Sequence, residues 1–236
     1  MVDSNAPVML VHGWGGSFAA TWQRSGFTEL LADAGREVIG VDLLGHGDAP
    51  KPHDPHAYAD LTTRLLDALP ERPVDAIGFS MGAVTLLRAA AAHPHRFQRL
   101  VVAGIGRNVF ERDDAARDRI IAAIEGDGAS QHNEEDDNQA RLFAQYAAQP
   151  GNDAKALTAA MRAPSGVAIT PELLASITCP VLVAVGDRDF VLPADQLVDS
   201  LPDARYVELR RTDHFATPES FEFIDAALQF LDAVPA

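Results

Sequence analysis

Short apolar runs recur along the chain and alternate with longer stretches in which apolar residues return every three or four positions. The runs at 7–11, 37–41, 74–79, 99–103 and 180–185 are rich in Val, Ile and Leu and too brief for surface helices. They read as strands buried on both faces of a parallel sheet. The run Arg205-Tyr206-Val207-Glu208-Leu209 instead alternates polar and apolar residues, as a more exposed edge strand does. Helical periodicity falls at 19–34, 57–69, 82–93, 193–200 and 218–233, the last opened by Thr217 as N-cap and Pro218 at the first helical position. Strand and helix in this alternation predict βαβ units. The fold class is α/β, with a mostly parallel open sheet of about six strands and helices on both faces.

One region departs from the rhythm. Between 105 and 171 no strand run occurs; helical patterns near 109–124, 139–148 and 153–162 are joined by Gly126-Asp127-Gly128 and by the acidic run Glu134-Glu135-Asp136-Asp137. Like charges in a row repel, so the acidic run reads as a solvated, mobile surface loop. The chain therefore divides into a core domain, 1–104 with 172–236, and a small helical cap inserted at 105–171. No internal repeat or low-complexity tract is present.

Composition narrows the function classes. At 236 residues and 47% hydrophobic content the chain fills one sizeable core. With 19 Lys and Arg against 34 Asp and Glu the net charge is −15, which disfavours nucleic acid and anionic membrane as partners, since both reward clustered positive charge. A single Cys makes no internal disulfide, and the start, Met1-Val2-Asp3-Ser4-Asn5, carries no basic segment followed by an apolar one. No run approaches the roughly 18 apolar residues of a membrane span. These features place the expected location in the cytoplasm.

The strongest chemical signal is Gly78-Phe79-Ser80-Met81-Gly82, set between a predicted strand and a predicted helix. A serine on so sharp a turn projects its hydroxyl above the sheet, flanking glycines give the room, and the following helix aims its N-terminal amides at the same point. Ser80 is thus the candidate nucleophile, and it needs a base to take its proton. Of eight histidines, His214 follows the last predicted strand, at the sheet end where reacting groups gather. His12 opens a glycine turn, His46 shapes the loop 42–47, and His53, His56, His93, His95 and His132 lie in polar loops or near helix ends as solvated residues. A carboxylate must orient the imidazole. Gly186-Asp187-Arg188-Asp189 offers two, and Asp189 is preferred over Asp187 because the glycine turn lets the chain leave the strand before that carboxylate turns back. His12-Gly13-Trp14-Gly15-Gly16 follows the first strand and assigns two oxyanion donors, the backbone amides of Trp14 and Met81. The Trp14 indole would wall the acyl pocket, and Trp22 packs in the core. Phe110, Phe143 and Met161 are further pocket candidates, each also explained as packing within the cap. The chemistry requires no metal and no organic cofactor.

Taken in order, these motifs resemble the α/β-hydrolase fold superfamily over nearly the whole chain. His-Gly-Trp-Gly at 12–15 is similar to small bacterial carboxylesterases of the pimeloyl-carrier-protein methyl ester esterase type. The resemblance implies a helical cap inserted after the sixth family strand. It also implies that the chain starts near the family's third strand, without the first antiparallel hairpin. The expected activity is that of a serine hydrolase cleaving a small uncharged carboxylic ester through an acyl-enzyme. Hydrolysis of a carbon–carbon bond in a dienoic acid would use the same triad, and a non-catalytic ligand-binding protein on the same fold is a further alternative. Serine in place of aspartate counts against dehalogenase and epoxide hydrolase chemistry, and the absence of proline from 12–16 counts against a perhydrolase. An acyl carrier protein partner is disfavoured by charge, because such carriers are themselves acidic. Arg107, Arg112, Arg117 and Arg119 would form a docking face, but Asp113, Asp114 and Asp118 interleave them. The sequence leaves the oligomeric state open.

Overall fold

The apolar runs form strands β1 (Val8–Val11), β2 (Val38–Val41), β3 (Val74–Phe79), β4 (Phe97–Ala103), β5 (Val181–Gly186) and β6 (Ala204–Leu209) in the computed structural model. It describes residues 5–126, 134–164 and 166–235, leaving aside the side chains of 134–137. The helices are α1 (Phe27–Asp33), α2 (Thr62–Asp67), α3 (Met81–Ala92), α4 (Asp114–Glu125), α5 (Glu134–Ala147), α6 (Ala154–Met161), α7 (Pro171–Leu174), α8 (Asp195–Asp199) and α9 (Phe221–Phe230).

All strand pairs are parallel, in the order β2-β1-β3-β4-β5-β6. The chain runs outward from β1 to β2, crosses back to β3, and then continues in one direction. Where strand order reverses, between β1 and β3, the carboxyl ends of an open α/β sheet leave a crevice. Val11 pairs with Gly78 there, so the segments after β1 and β3 emerge side by side. Successive strand residues face opposite sides. Met9, Val11, Leu100, Val102 and Val183 pack with Leu86 and Leu87 of α3 on one face. Val8, Leu10, Ile77, Val101 and Leu182 pack with Trp22, Phe27, Phe223 and Leu228 on the other. Each fully buried Leu or Phe contributes about 1.5–3 kcal/mol.

A polar exception lies near the opposite end of β3. Asp75 is fully buried and receives the guanidinium groups of Arg36, at 2.5 Å, and Arg99, at 2.8 Å. Arg36 also donates to the carbonyls of Ala6 and Leu231, tying both ends of the core to the sheet.

Several helices differ from the sequence expectation. The pattern at 19–34 is broken in two: a π-helical turn, Ala19–Gln23, ends before Gly26, whose φ of 76° starts α1 afresh. The pattern at 57–69 likewise divides into a 3-10 turn, Pro55–Tyr58, and α2. Thr217 and Pro218 do not open the last helix. They begin a separate 3-10 turn, the Thr217 hydroxyl donates to the Asp213 carbonyl, and Ser220 occupies the N-cap position of α9 without a side-chain hydrogen bond. The acidic run is not a loop either, since α5 begins at Glu134. Asp127, Gly128 and His132 lie outside the described residues.

Between β4 and α7 the described residues contain no strand. Helix α4 packs against α5 and α6, with Arg162 and Glu125 joined by two hydrogen bonds of 2.6 and 2.8 Å. Helix α6 also rests on the Pro55–Tyr58 turn, where Asp153 meets His53 at 2.9 Å.

Candidate active site

Ser80 is the first residue after β3 and has φ 50° and ψ −114°, in the left-handed half of backbone space. That conformation is strained for a residue with a Cβ and persists only where the surroundings over-determine it. Here the Ser80 amide donates to the Ala103 carbonyl at 2.8 Å, and its own carbonyl accepts from Val84 as α3 begins. The two flanking glycines have separate reasons. A Cβ on Gly78 would sit 2.7 Å from the Ala83 nitrogen, and one on Gly82 would sit 2.5 Å from the Val11 and His12 carbonyl oxygens. Only glycines let α3 lie this close to β1 and β3.

His214 stands in the loop after β6, with its Nε2 3.0 Å from Ser80 Oγ. Its Nδ1 lies 2.9 and 3.0 Å from the two carboxylate oxygens of Asp189. Asp189 and His214 are both buried, and Asp189 Oδ1 also accepts from the Val191 amide. Asp187 does not reach the imidazole. Its Oδ1 accepts from the Thr212 amide at 3.2 Å, while the Arg188 amide donates to the Thr212 carbonyl, so this residue fastens the two loops together.

The turn 12–16 is fixed from behind by His12. The Leu43 amide can only donate, so His12 Nε2 accepts it at 3.1 Å and the ring proton is on Nδ1, donating to the Gly13 carbonyl at 2.7 Å. Full burial holds the His12 pKa below its ordinary value and keeps the ring neutral. The Gly13 carbonyl also accepts from the Gly16 amide at 3.1 Å. In a trans peptide the N–H opposes the C=O, so the Trp14 amide is turned away from these two donors. Gly13 lies against Ser80, where an added Cβ would come within 3.3 Å of the serine Cβ. Among the described residues neither the Trp14 nor the Met81 amide has an acceptor.

The match to known families decides what this architecture is: the alpha/beta hydrolase family model covers residues 8–226. The chain belongs to the alpha/beta hydrolase family. Over 241 aligned residues it is 30% identical to a pimeloyl-[acyl-carrier protein] methyl ester esterase of Neisseria meningitidis serogroup B (strain H44/76), covering 91% of this chain and 88% of the other. A 2-hydroxy-6-oxo-2,4-heptadienoate hydrolase of Pseudomonas putida is 36% identical over 119 residues, 48% of this chain and 42% of its own. Among solved structures, a thermophilic esterase from Thermogutta terrifontis superposes with a TM-score of 0.70 at 21% identity, over 98% of this chain and 91% of that one. The last likeness is one of fold.

Around the serine this alpha/beta hydrolase is lined by aromatic rings. Phe143 of α5 packs against Trp14, at 5.4 Å between ring centroids, and against Phe215 and Phe190 at 5.2 and 6.2 Å. Phe190 lies 4.5 Å from the His214 ring and Phe79 lies 5.0 Å from it. Of the pocket candidates Phe143 is therefore brought to the site. Phe110 packs against the apolar core, and Met161 is the last residue of α6, a helix that packs on α4 and the Pro55–Tyr58 turn. Phe190 and Phe215 were missed in the sequence, although each directly follows a residue chosen for chemistry. Trp22 is buried against Phe27 and Phe223, as expected. His46 is buried, donates from Nδ1 to the Leu44 carbonyl, and leaves Nε2 without a partner among the described residues. Burial, reinforced by the neighbouring His12, pushes its pKa down to about 3. Among the described residues no group of three or more His, Cys, Asp or Glu side chains converges to hold a metal ion, and no helix is long and apolar enough to cross a membrane.

Proposed function

We propose that this alpha/beta hydrolase is a serine esterase acting on a small, uncharged carboxylic ester through an acyl-enzyme. The observation that carries the reading is the unbroken contact from Ser80 Oγ through His214 to Asp189, beside two amides that have no acceptor among the described residues. His214 Nε2 takes the serine proton as Oγ attacks the carbonyl carbon. Asp189 holds the Nδ1 proton and stabilises the imidazolium. The Trp14 and Met81 amides receive the charge that develops on the carbonyl oxygen. His214 then returns its proton to the leaving alcohol, and a water deprotonated by the same nitrogen releases the acid. The helices of 105–171 act as a cap over the core formed by 1–104 and 172–236, and Phe143 with Trp14 walls the apolar side of the pocket.

Likeness to the Neisseria esterase supports ester chemistry and raises a carrier-bound acyl substrate. The net charge of −15 opposes an acidic carrier, so a free ester is favoured. Likeness to the Pseudomonas hydrolase supports the carbon–carbon reading over 48% of the chain. The deciding measurement is a p-nitrophenyl ester chain-length series run alongside a dienoic acid substrate, with fluorophosphonate labelling of the wild type and of Ser80→Ala. Ester turnover and labelling are expected in the wild type, and both should vanish in the variant. Cleavage of the dienoic acid without ester turnover would establish the alternative, and absence of Ser80-dependent labelling would leave a ligand-binding protein.

A further inference from the structure

We infer that Asn152, in the loop between α5 and α6, is a positioning residue for the oxyanion hole. It holds the glycine turn from the cap side, so the cap helps to set the rate of acyl transfer. This rests on the esterase reading above.

The turn that presents the Trp14 amide contains Gly13, Gly15 and Gly16, and Gly15 has a φ of 72°. Such a segment has little stiffness of its own, because glycine populates both signs of φ with similar ease. From the core side His12 grips the Gly13 carbonyl, and the Gly16 amide closes the turn on that same oxygen. The other side of the turn is held by the cap. Asn152 Nδ2 donates to the Gly15 carbonyl at 2.8 Å and to the Tyr146 carbonyl at 3.0 Å, so one amide bridges α5 and the turn. The Trp14 indole donates to the Leu157 carbonyl of α6 at 3.1 Å. The Tyr146 ring covers Gly15 so closely that a Cβ there would lie 2.8 Å from it. Trp14 is thus held on one side through Gly13 and on the other through Gly15, and the second hold comes from residues more than 130 positions away. An oxyanion donor acts only if it is already aimed where the charge will appear.

Asn152 also suits a clean test. It lines a cavity of about 640 Å³ together with Gly15, Gly16, Arg24 and Lys51, so water can reach the Gly15 carbonyl once the side chain is gone. Loss of the amide therefore frees the turn without stranding a buried acceptor. Asn152→Ala and the near-isosteric Asn152→Asp, which has no N–H to give, would be assayed on a p-nitrophenyl ester, with enzyme concentration set by fluorophosphonate titration of Ser80. Removing an oxyanion donor outright costs about 10²–10³ in kcat, and mispositioning one should cost roughly tenfold. Both variants are expected to lose kcat on that scale with KM little changed, and to lose affinity for an alkyl boronic acid in parallel. Inhibition by the carboxylate product, which forms no tetrahedral adduct, should stay as in the wild type. A rise in KM with kcat and boronate affinity intact would show that Asn152 merely holds the cap, and would overturn the inference while leaving the esterase reading standing. Failure of the wild type itself to turn over esters or to label at Ser80 would remove both.

Discussion

Asp187 and Asp189 stand two positions apart on one turn and have different partners: one accepts from a backbone amide, the other from an imidazole. That contrast gives a paired expectation. Asp189→Asn should misorient His214 by presenting an amide N–H to Nδ1, and the analogous change in other serine hydrolases lowers kcat about 10⁴-fold. Asp187→Asn retains the oxygen that accepts from Thr212 and should alter kcat by roughly twofold or less, within the range of ordinary surface changes. Steady-state kinetics on one ester measures both, and a large loss in Asp187→Asn alone would move the triad carboxylate. His46 yields a second expectation, in stability. Burial pushes its folded pKa down to about 3, against about 6.5 for a histidine in water. The unfolded chain therefore takes up the proton first as pH falls. Stability is present in full above about pH 6.5 and is lost progressively down to about pH 3, a window worth on the order of 5 kcal/mol. His12 acts in the same direction, because burial lowers its pKa too. His46→Gln should show a flatter decline in urea-unfolding free energy between pH 6.5 and 4 than the wild type, and an identical slope would show that acid sensitivity arises elsewhere.

At the scale of elements, what could be read from the sequence was what neighbours in sequence determine. Five strands were legible as short apolar runs and β6 by its alternation of polar and apolar residues, and the order of Ser80, Asp189 and His214 was legible because each follows the carboxyl end of a strand. The break at Gly26 was not, since an isolated glycine within a helical pattern is compatible with either continuity or a stop, and tertiary packing decides. Thr217 is no cap for a related reason: it lies inside a 3-10 turn, its hydroxyl donates back to the Asp213 carbonyl, and the helix starts one turn later. Asn152 left no signal in the sequence, because its partner on the turn is 137 residues away and an asparagine in a polar loop looks like any other. Asp75 likewise reads as an anomaly in an apolar run until Arg36 and Arg99 are seen to close on it.

At the scale of the whole molecule, charge acts on which substrates arrive. The chain carries −15 overall. Two of the arginines on α4 and its approach are engaged locally, Arg112 with Asp114 and Arg117 with Asp114 and Asp118. A diffuse negative field of this kind lowers the local concentration of anions and is screened over about 10 Å at 0.1 M salt. Two esters with the same leaving group, one with a neutral acyl chain and one ending in a carboxylate, isolate the effect. At low ionic strength kcat/KM for the anionic ester should be the lower, and added sodium chloride should raise it by a few-fold, roughly 2–10, while the neutral ester stays level. The opposite pattern, an anionic ester preferred at low salt and losing ground as salt is added, would mean that a local cationic patch governs entry. Arg24 and Lys51, on the cavity beside the glycine turn, would then be the residues to neutralise.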